Sequence, residues 1–275
     1  MGPERSGRPA GRGAPPASRG LGGEQVEGRQ AVAELLAARR RPVVDVWMSA
    51  DPETAPSLDR IANLAAVARV PLRRVSGARL GSEARTEAPQ GVLAHARPLP
   101  EADLDDLCRG GREGGPPFLL ALDGVTDPQN LGALLRSAEG AGATGAILPR
   151  HRAVHVTATV AKSAAGAIEY VPMALASGLP AALTRASALG LWVVGLDPGG
   201  TESLFDLAVA DQGVVLVMGA EGRGLSRLVA RRCDVLAGIP LQGRLPSLNV
   251  SAAGALALFE VSRRRLHTGH RSTAR

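Results

Sequence analysis

The sequence predicts an α/β fold in two parts on three observations: short continuous apolar runs of strand length, stretches of helical spacing between them, and polar or glycine-rich turns ending several runs. At 275 residues, 45% of them hydrophobic, the chain is long enough to bury two modest cores. Residues 1–22 hold many Gly, Pro and Arg without apolar periodicity. They are expected to form a disordered basic tail, because such a segment cannot bury enough surface to offset chain entropy. Residues 23–97 are expected to form a small α/β module. Within it 31–38 suits a short helix, the β-branched run 43–48 a strand, and 92–96 a further strand, while Leu58, Ile61, Leu64 and Ala65 supply the inner stripe of a second helix. Residues 98–116, with Pro98, Pro100 and Gly110, Gly111, Gly114 and Gly115, read as a linker holding one helical turn. The second domain is expected over 117–275. Its runs 118–122, 145–148, 191–196, 214–218 and 235–239 read as buried strands of a parallel sheet covered on both faces, and an alanine-rich helix closes it near Arg265.

Charge and composition narrow the function. A formal net charge of +6 and a pI near 10.7 favour a polyanionic partner, although solvated surface charge alone explains them equally well. All 32 basic residues except Lys162 are arginine, which matches a GC-rich coding bias as well as recognition. Aromatic residues are only 2%, too few for a base-stacking platform, so RNA recognition would work through backbone and shape. No apolar run approaches the roughly 20 residues that span a bilayer, and the charged amino terminus has no secretory apolar region, so a cytoplasmic protein with no membrane partner is expected. Cys108 and Cys233 lie far apart with no CxxC pair, so neither a disulfide framework nor a metal site is supported.

Three segments at strand ends are candidates for chemistry, the place where open α/β sheets bind ligands. The first runs from Leu122 through Asp123-Gly124-Val125-Thr126-Asp127-Pro128-Gln129-Asn130 to Gly132, with Arg136 beyond. Asp127 is a good N-cap and Pro128 a good first residue for a helix whose inner stripe is Leu131, Leu134, Leu135 and Ala138, leaving Arg136 outside it. A capped helix with a solvated arginine is a common local pattern. The second segment, Val217-Met218-Gly219-Ala220-Glu221-Gly222-Arg223-Gly224, sets an acidic side chain in a glycine turn, but it is neither a GxGxxG nor a GxxxxGK motif. The third is Gly238-Ile239-Pro240-Leu241-Gln242-Gly243, followed by Pro246-Ser247-Leu248-Asn249-Val250-Ser251. There Ser247 reads as the N-cap of the closing helix, and Ile239 and Leu248 also fit plain core positions. Arg39, Arg40 and Arg41, at the end of the first helix, fit either dipole complementation or RNA phosphate contact.

Together the three segments resemble the signature motifs of the SpoU/TrmH family of RNA ribose 2′-O-methyltransferases, in the SPOUT superfamily, over residues 27–265. The stretches DGVTDPQNLGALLRSAEGAG and LVMGAEGRGLS look most like the subgroup that methylates a guanosine of 23S ribosomal RNA. The resemblance implies a small amino-terminal RNA-binding domain and a parallel-sheet domain threaded as a trefoil knot, an exception to the rule that folds avoid knots. It further implies that Gly219, Ile239 and Leu248 contact S-adenosylmethionine, that Asn130, Arg136, Glu221, Ser247 and Asn249 occupy catalytic positions, and that the chain pairs as a homodimer. Apolar Leu256, Leu258, Phe259 and Val261 on more than one face of the closing helix suit such pairing. Close relatives often have Gly-Ile-His-Ala-Val where this chain has Gly28-Arg29-Gln30-Ala31-Val32, a departure confined to the small domain.

Methyl transfer is an in-line displacement, so the 2′-oxygen must be aligned and relieved of its proton. Arginine stays protonated at neutral pH and is a poor base. Arg136 is therefore expected to clamp a phosphate and polarise the hydroxyl, with Glu221, Ser247 and Asn249 fixing cofactor and ribose. Rival readings are a non-catalytic RNA or ribosome binder on the same scaffold, a nicotinamide dehydrogenase, which would need a glycine fingerprint this chain lacks, and a transfer-RNA methyltransferase. Lys162 reads as a solvated side chain or an RNA contact.

Overall fold

A computed structural model describes residues 20–51, 56–111, 114–151 and 155–272, with side chains up to residue 266. Local sequence accounts for most of its elements. In chain order they are β1 (Gln25–Glu27), α1 (Arg29–Ala38), β2 (Val43–Ser49), α2 (Pro56–Val67), β3 (Leu72–Val75), α3 (Gly77–Glu83), β4 (Val92–Ala96) and α4 (Leu104–Arg109). The larger part continues with β5 (Phe118–Asp123), α5 (Pro128–Gly140), β6 (Gly145–Pro149), α6 (Ala158–Ser163), β7 (Met173–Ala176), α7 (Leu179–Ala188), β8 (Trp192–Leu196), β9 (Glu202–Ser203), β10 (Val214–Gly219), α8 (Arg227–Ala230), β11 (Val235–Gly238) and α9 (Val250–Ser272). A 3₁₀ turn, Ala167–Glu169, joins α6 to β7.

Val/Leu/Ala-rich strands that are apolar on both faces can pair only where both faces are covered. Six of them, with the short polar β9 at one edge, form one sheet in the order β7-β6-β5-β10-β8-β11-β9, every pairing parallel. One face packs Leu120, Val194 and Leu216 against α5, α6 and α9; the other packs Leu119, Ile147 and Val215 against α4 and α7. Burial pushes the thiols of Cys108 and Cys233 up to about 11 and about 12, so both stay protonated and inert.

The amino-terminal part is a mixed four-stranded sheet in the order β1-β4-β2-β3, with only β2 and β3 parallel. The expected 98–116 linker contains α4, whose Leu107 and Cys108 are buried against α7, and Ala102 N donates to Met173 O at 2.8 Å. The glycines and prolines around it mask its apolar 104, 107, 108 spacing in the sequence. Of the expected tail, residues 1–19 lie outside the described residues. Leu21 is buried, and its carbonyl accepts from Val156 N at 2.8 Å.

Two helix boundaries differ from expectation. The N-cap of α9 is Asn249 rather than Ser247: Asn249 Oδ1 accepts from Ser251 N, Ser251 Oγ and Ala252 N at 2.8, 2.6 and 3.3 Å. An amide placed immediately before the first turn reaches N2 and N3 donors that a serine two residues further back does not. The same helix runs on past Arg265 to Ser272.

Candidate active site

The strand ends set the site. β10 finishes at Gly219, and residues 220–224 close on themselves, Ala220 N donating to Gly224 O at 3.0 Å and Gly224 N to Ala220 O at 2.8 Å. Gly222 and Gly224 take φ +72° and +64°, values costly for any residue with a Cβ, and a Cβ on Gly219 would overlap the Gly224 backbone. The turn therefore lifts Glu221 out of the sheet end. Asp123, at the end of β5, braces it by accepting from Ser226 N at 2.6 Å.

Asp127 caps α5 by accepting from Asn130 N at 2.7 Å, with Pro128 at its first position. This aims the Asn130 amide at Glu221, to whose Oε1 it donates at 2.5 Å. Asn249 Nδ2 donates to the same Oε1 at 3.1 Å and to Asn130 Oδ1 at 3.2 Å. Three residues 28 to 119 positions apart thus form one amide–carboxylate triangle. Oε2 of Glu221 has no protein partner among the described residues.

Beside the triangle is a cavity of about 980 Å³, within the range of small-molecule sites. Gly219, Glu221, Ile239, Ser247, Leu248 and Asn249 all line it. Met218, Ile239, Leu248 and Val250 provide apolar walls, while the stretch from Pro240 to Asn249 is exposed and outside any helix or strand, so its peptide groups are not committed to a ladder. A pocket with apolar faces for a purine, free backbone groups for its polar edges and carboxylates near its rim fits S-adenosylmethionine. Asp197, Pro198, Arg244 and Leu245 also line it and were missed. Asp197 had a signal, since it directly follows the apolar run 191–196 and ligands gather at strand ends.

Arg136 lies apart. It is exposed on α5, about 9 Å along the axis from Asn130, off the buried stripe of Leu131, Leu134, Leu135 and Ala138, and it does not line the cavity.

The arginine cluster needs correction. Arg41 is buried against Glu169, its Nε and Nη2 donating to the two carboxylate oxygens at 3.0 and 2.6 Å, and its Nη1 donates to the carbonyls of Gly23 and Arg97 at 2.7 and 2.5 Å. A guanidinium held this way offers nothing to RNA. Arg40 turns toward the carbonyls of Ile168 and Val171 at 3.4 and 3.3 Å, leaving Arg39 as the exposed member. Lys162 donates to Ala88 O at 2.6 Å and so joins the two parts of the chain. Gln30, at the departure from the relatives' pattern, is exposed and donates to Glu34 at 2.7 Å.

Residues 117–259 match the SpoU rRNA Methylase family and residues 25–112 match the RNA 2′-O ribose methyltransferase substrate-binding family. The chain belongs to the SpoU rRNA methylase family. It is a S-adenosylmethionine-dependent RNA ribose 2′-O-methyltransferase whose small domain is the substrate-binding domain. Among relatives of this SpoU methylase, the 23S rRNA (guanosine-2′-O-)-methyltransferase RlmB of Pseudomonas aeruginosa is 40% identical over 88% of this chain and 97% of its own length. The RlmB of a Burkholderia species is 41% identical over 88% and 96%. Among solved structures, the SpoU methyltransferase AviRb from Streptomyces viridochromogenes in complex with AdoMet superposes with TM-score 0.74 at 25% identity, covering 88% of this chain and 90% of that one. An AdoMet-bound rRNA methyltransferase from Sinorhizobium meliloti gives 0.71 at 26%, covering 87% of both chains. No helix among the described residues is long and apolar enough to cross a membrane.

Proposed function

We propose that this methyltransferase modifies the 2′-hydroxyl of a guanosine in 23S ribosomal RNA. The observation that carries the reading is the convergence of Asn130, Glu221 and Asn249 on one carboxylate at the rim of a cofactor-sized cavity. The names of the RlmB relatives point to the nucleotide and the RNA. When bound, S-adenosylmethionine supplies an electrophilic methyl group on a sulfonium.

The chain's own residues then have separate tasks. Gly219, Ile239 and Leu248 hold the cofactor, the first by letting backbone approach, the others by apolar contact. Asn130 and Asn249 fix Glu221 so that its second oxygen faces outward to orient ribose or cofactor, and Ser247 adds a hydroxyl on the same rim. Arg136 clamps a substrate phosphate and polarises the hydroxyl to be methylated. Arg39 contacts RNA phosphate from the small domain.

The reading includes a second copy of the chain and a knotted thread. Leu256 and Phe259 on α9 are 45% and 51% exposed, and Phe205 and Leu248 extend the same apolar surface, which suits a homodimer interface. The knot proposed for the segment after β11 is supported by the packing of α9 on α5 and β10. The domain limits 23–97 and 117–275, with a tail before and a linker between, and action in the cytoplasm complete the proposal.

The test is methyl transfer from labelled cofactor to 23S ribosomal RNA, followed by mapping of the 2′-O-methyl mark. A single marked guanosine is the expected result, and transfer confined to transfer RNA would overturn the substrate. Near-full turnover by Arg136→Lys would remove the bidentate clamp from the mechanism.

A further inference from the structure

Arg41 and Glu169 lie 128 residues apart, in different domains, with side chains only 2% and 1% exposed. Burying two charges is costly unless their geometry is excellent and the remaining donors are used. Here they are: the pair is bidentate, and the last guanidinium nitrogen is shared by the carbonyls of Gly23, before β1, and Arg97, after β4. One side chain therefore joins the entry to the small domain, its exit and the catalytic domain.

The contacts around it point the same way. Arg40 donates to the carbonyls of Ile168 and Val171, Tyr170 Oη donates to Glu34 at 2.7 Å, and Lys162 to Ala88 O. Backbone crosses as well, with Gly23 N donating to Val156 O at 2.7 Å. Gly166 sits so close to α1 that a Cβ there would overlap Glu34. Beneath these polar ties the buried apolar cluster runs without a break from Val26 and Leu35 to Ala161, Ile168 and Leu135.

The docking surface, formed by α6 and the 3₁₀ turn, is itself packed on α5, the helix that carries Asn130 and Arg136. Gly132 of α5 touches α6 so closely that a Cβ would meet Val160 O at 2.8 Å. Arg136 is one turn further along that stripe, and Glu139, three residues on, is near enough to act electrostatically on Tyr170 at the domain boundary. The helix that carries Asn130 and Arg136 is thus linked to the small domain through α6 and the 3₁₀ turn.

We infer that Arg41 and Glu169 are positioning residues for methyl transfer: their buried pair pins the substrate-binding domain on α6 and the 3₁₀ turn, which pack on the α5 helix that carries Arg136, so that RNA reaches the site in a preset register. Bound RNA then does not have to order two independent bodies, and the cost of fixing them is met when the protein folds. The inference rests on the reading of this chain as a ribosomal-RNA methyltransferase only for its kinetic readout.

The experiment compares the full-length protein with Glu169→Gln and with the double variant Arg41→Met/Glu169→Met, which keeps the volume while removing the charges and the carbonyl contacts. Hydrogen exchange at the Gly23 and Val156 amides reports the docking directly, without any substrate. Folded variants should lose protection there by at least tenfold and raise KM for a 23S ribosomal RNA fragment by at least tenfold, with kcat at saturating RNA and cofactor affinity within twofold. Unchanged protection and KM in the folded double variant would overturn the inference. Parallel losses of kcat and cofactor affinity would also overturn it, by making the pair a general support of the fold. If the unaltered enzyme leaves 23S RNA unmethylated, the substrate reading fails while the exchange result still decides the docking.

Discussion

Replacing Asn249 by aspartate separates two tasks that the native side chain performs together. Its Oδ1 caps α9 through Ser251 N, Ser251 Oγ and Ala252 N, while its Nδ2 holds Glu221 Oε1 at 3.1 Å. Aspartate caps a helix as well as asparagine does, so α9 should keep its start and stability should change by less than about 1 kcal/mol. At Glu221, however, a carboxylate oxygen replaces an N–H. Two like charges about 3 Å apart repel by about 1.3 kcal/mol in water, and the lost hydrogen bond to a charged acceptor contributes about 1.5–3 kcal/mol. Both groups are exposed and can relax apart, which leaves about 2–3 kcal/mol, or roughly 30- to 150-fold in kcat/KM. Asn249→Ala should invert the pattern, costing about 1 kcal/mol of stability through the lost cap and roughly tenfold in activity through the lost donor. Steady-state methyl transfer and urea unfolding on the same preparations read the two effects separately. If the Asn249→Asp enzyme retains activity within threefold of the unaltered protein, the amide bridge does not hold Glu221 in its working position.

Gly132→Ala should destabilise the protein by about 1–3 kcal/mol although alanine favours an isolated helix by about 1 kcal/mol, because its Cβ would meet Val160 O at 2.8 Å and Ala164 N at 2.9 Å; a rise in urea midpoint would refute the close α5–α6 approach. Glu260 is nearly buried, and the hydrogen bond from Arg263, opposed by burial and then aided by Arg264, holds its carboxyl below its ordinary value of 4.5. A depressed folded value stabilises the protein above the unfolded one, so stability should fall as pH drops through 4.5 toward the lower folded value. Glu260→Gln should lower the urea midpoint at pH 7 and flatten that acid limb, and an unchanged acid limb would refute the pairing.

Some of this was legible in the residues. The inner stripe of α5, its Asp127 cap and the exposure of Arg136 follow from 3.6-residue spacing and cap chemistry, which are local. The three strand-end segments were equally legible as motifs; the second and third line one cavity, and the first reaches it through the hydrogen bond of Asn130 to Glu221. Other elements were not. β7, with the sequence MALA, has neither β-branched residues nor alternation, and it is a strand only because β6 offers it an edge. The serine cap failed because backbone geometry at 247–249, not residue preference, decides which side chain reaches the first-turn donors.

By itself the sequence determined what short-range physics controls: which segments are apolar on one face or two, where helices begin, and which polar residues stand at strand ends. Arg39, Arg40 and Arg41 show where that stops, since three adjacent arginines have the same local chemistry and quite different surroundings. Only the tertiary structure decided that Arg41 would be buried on a glutamate 128 residues away, because the electrostatic environment of a charge is set by groups that the chain brings near it only after folding. The Glu221 triangle depends on the same step: its amides come from two helix starts whose approach is fixed by the packing of α5 on α9 against the sheet, a contact that no local pattern encodes.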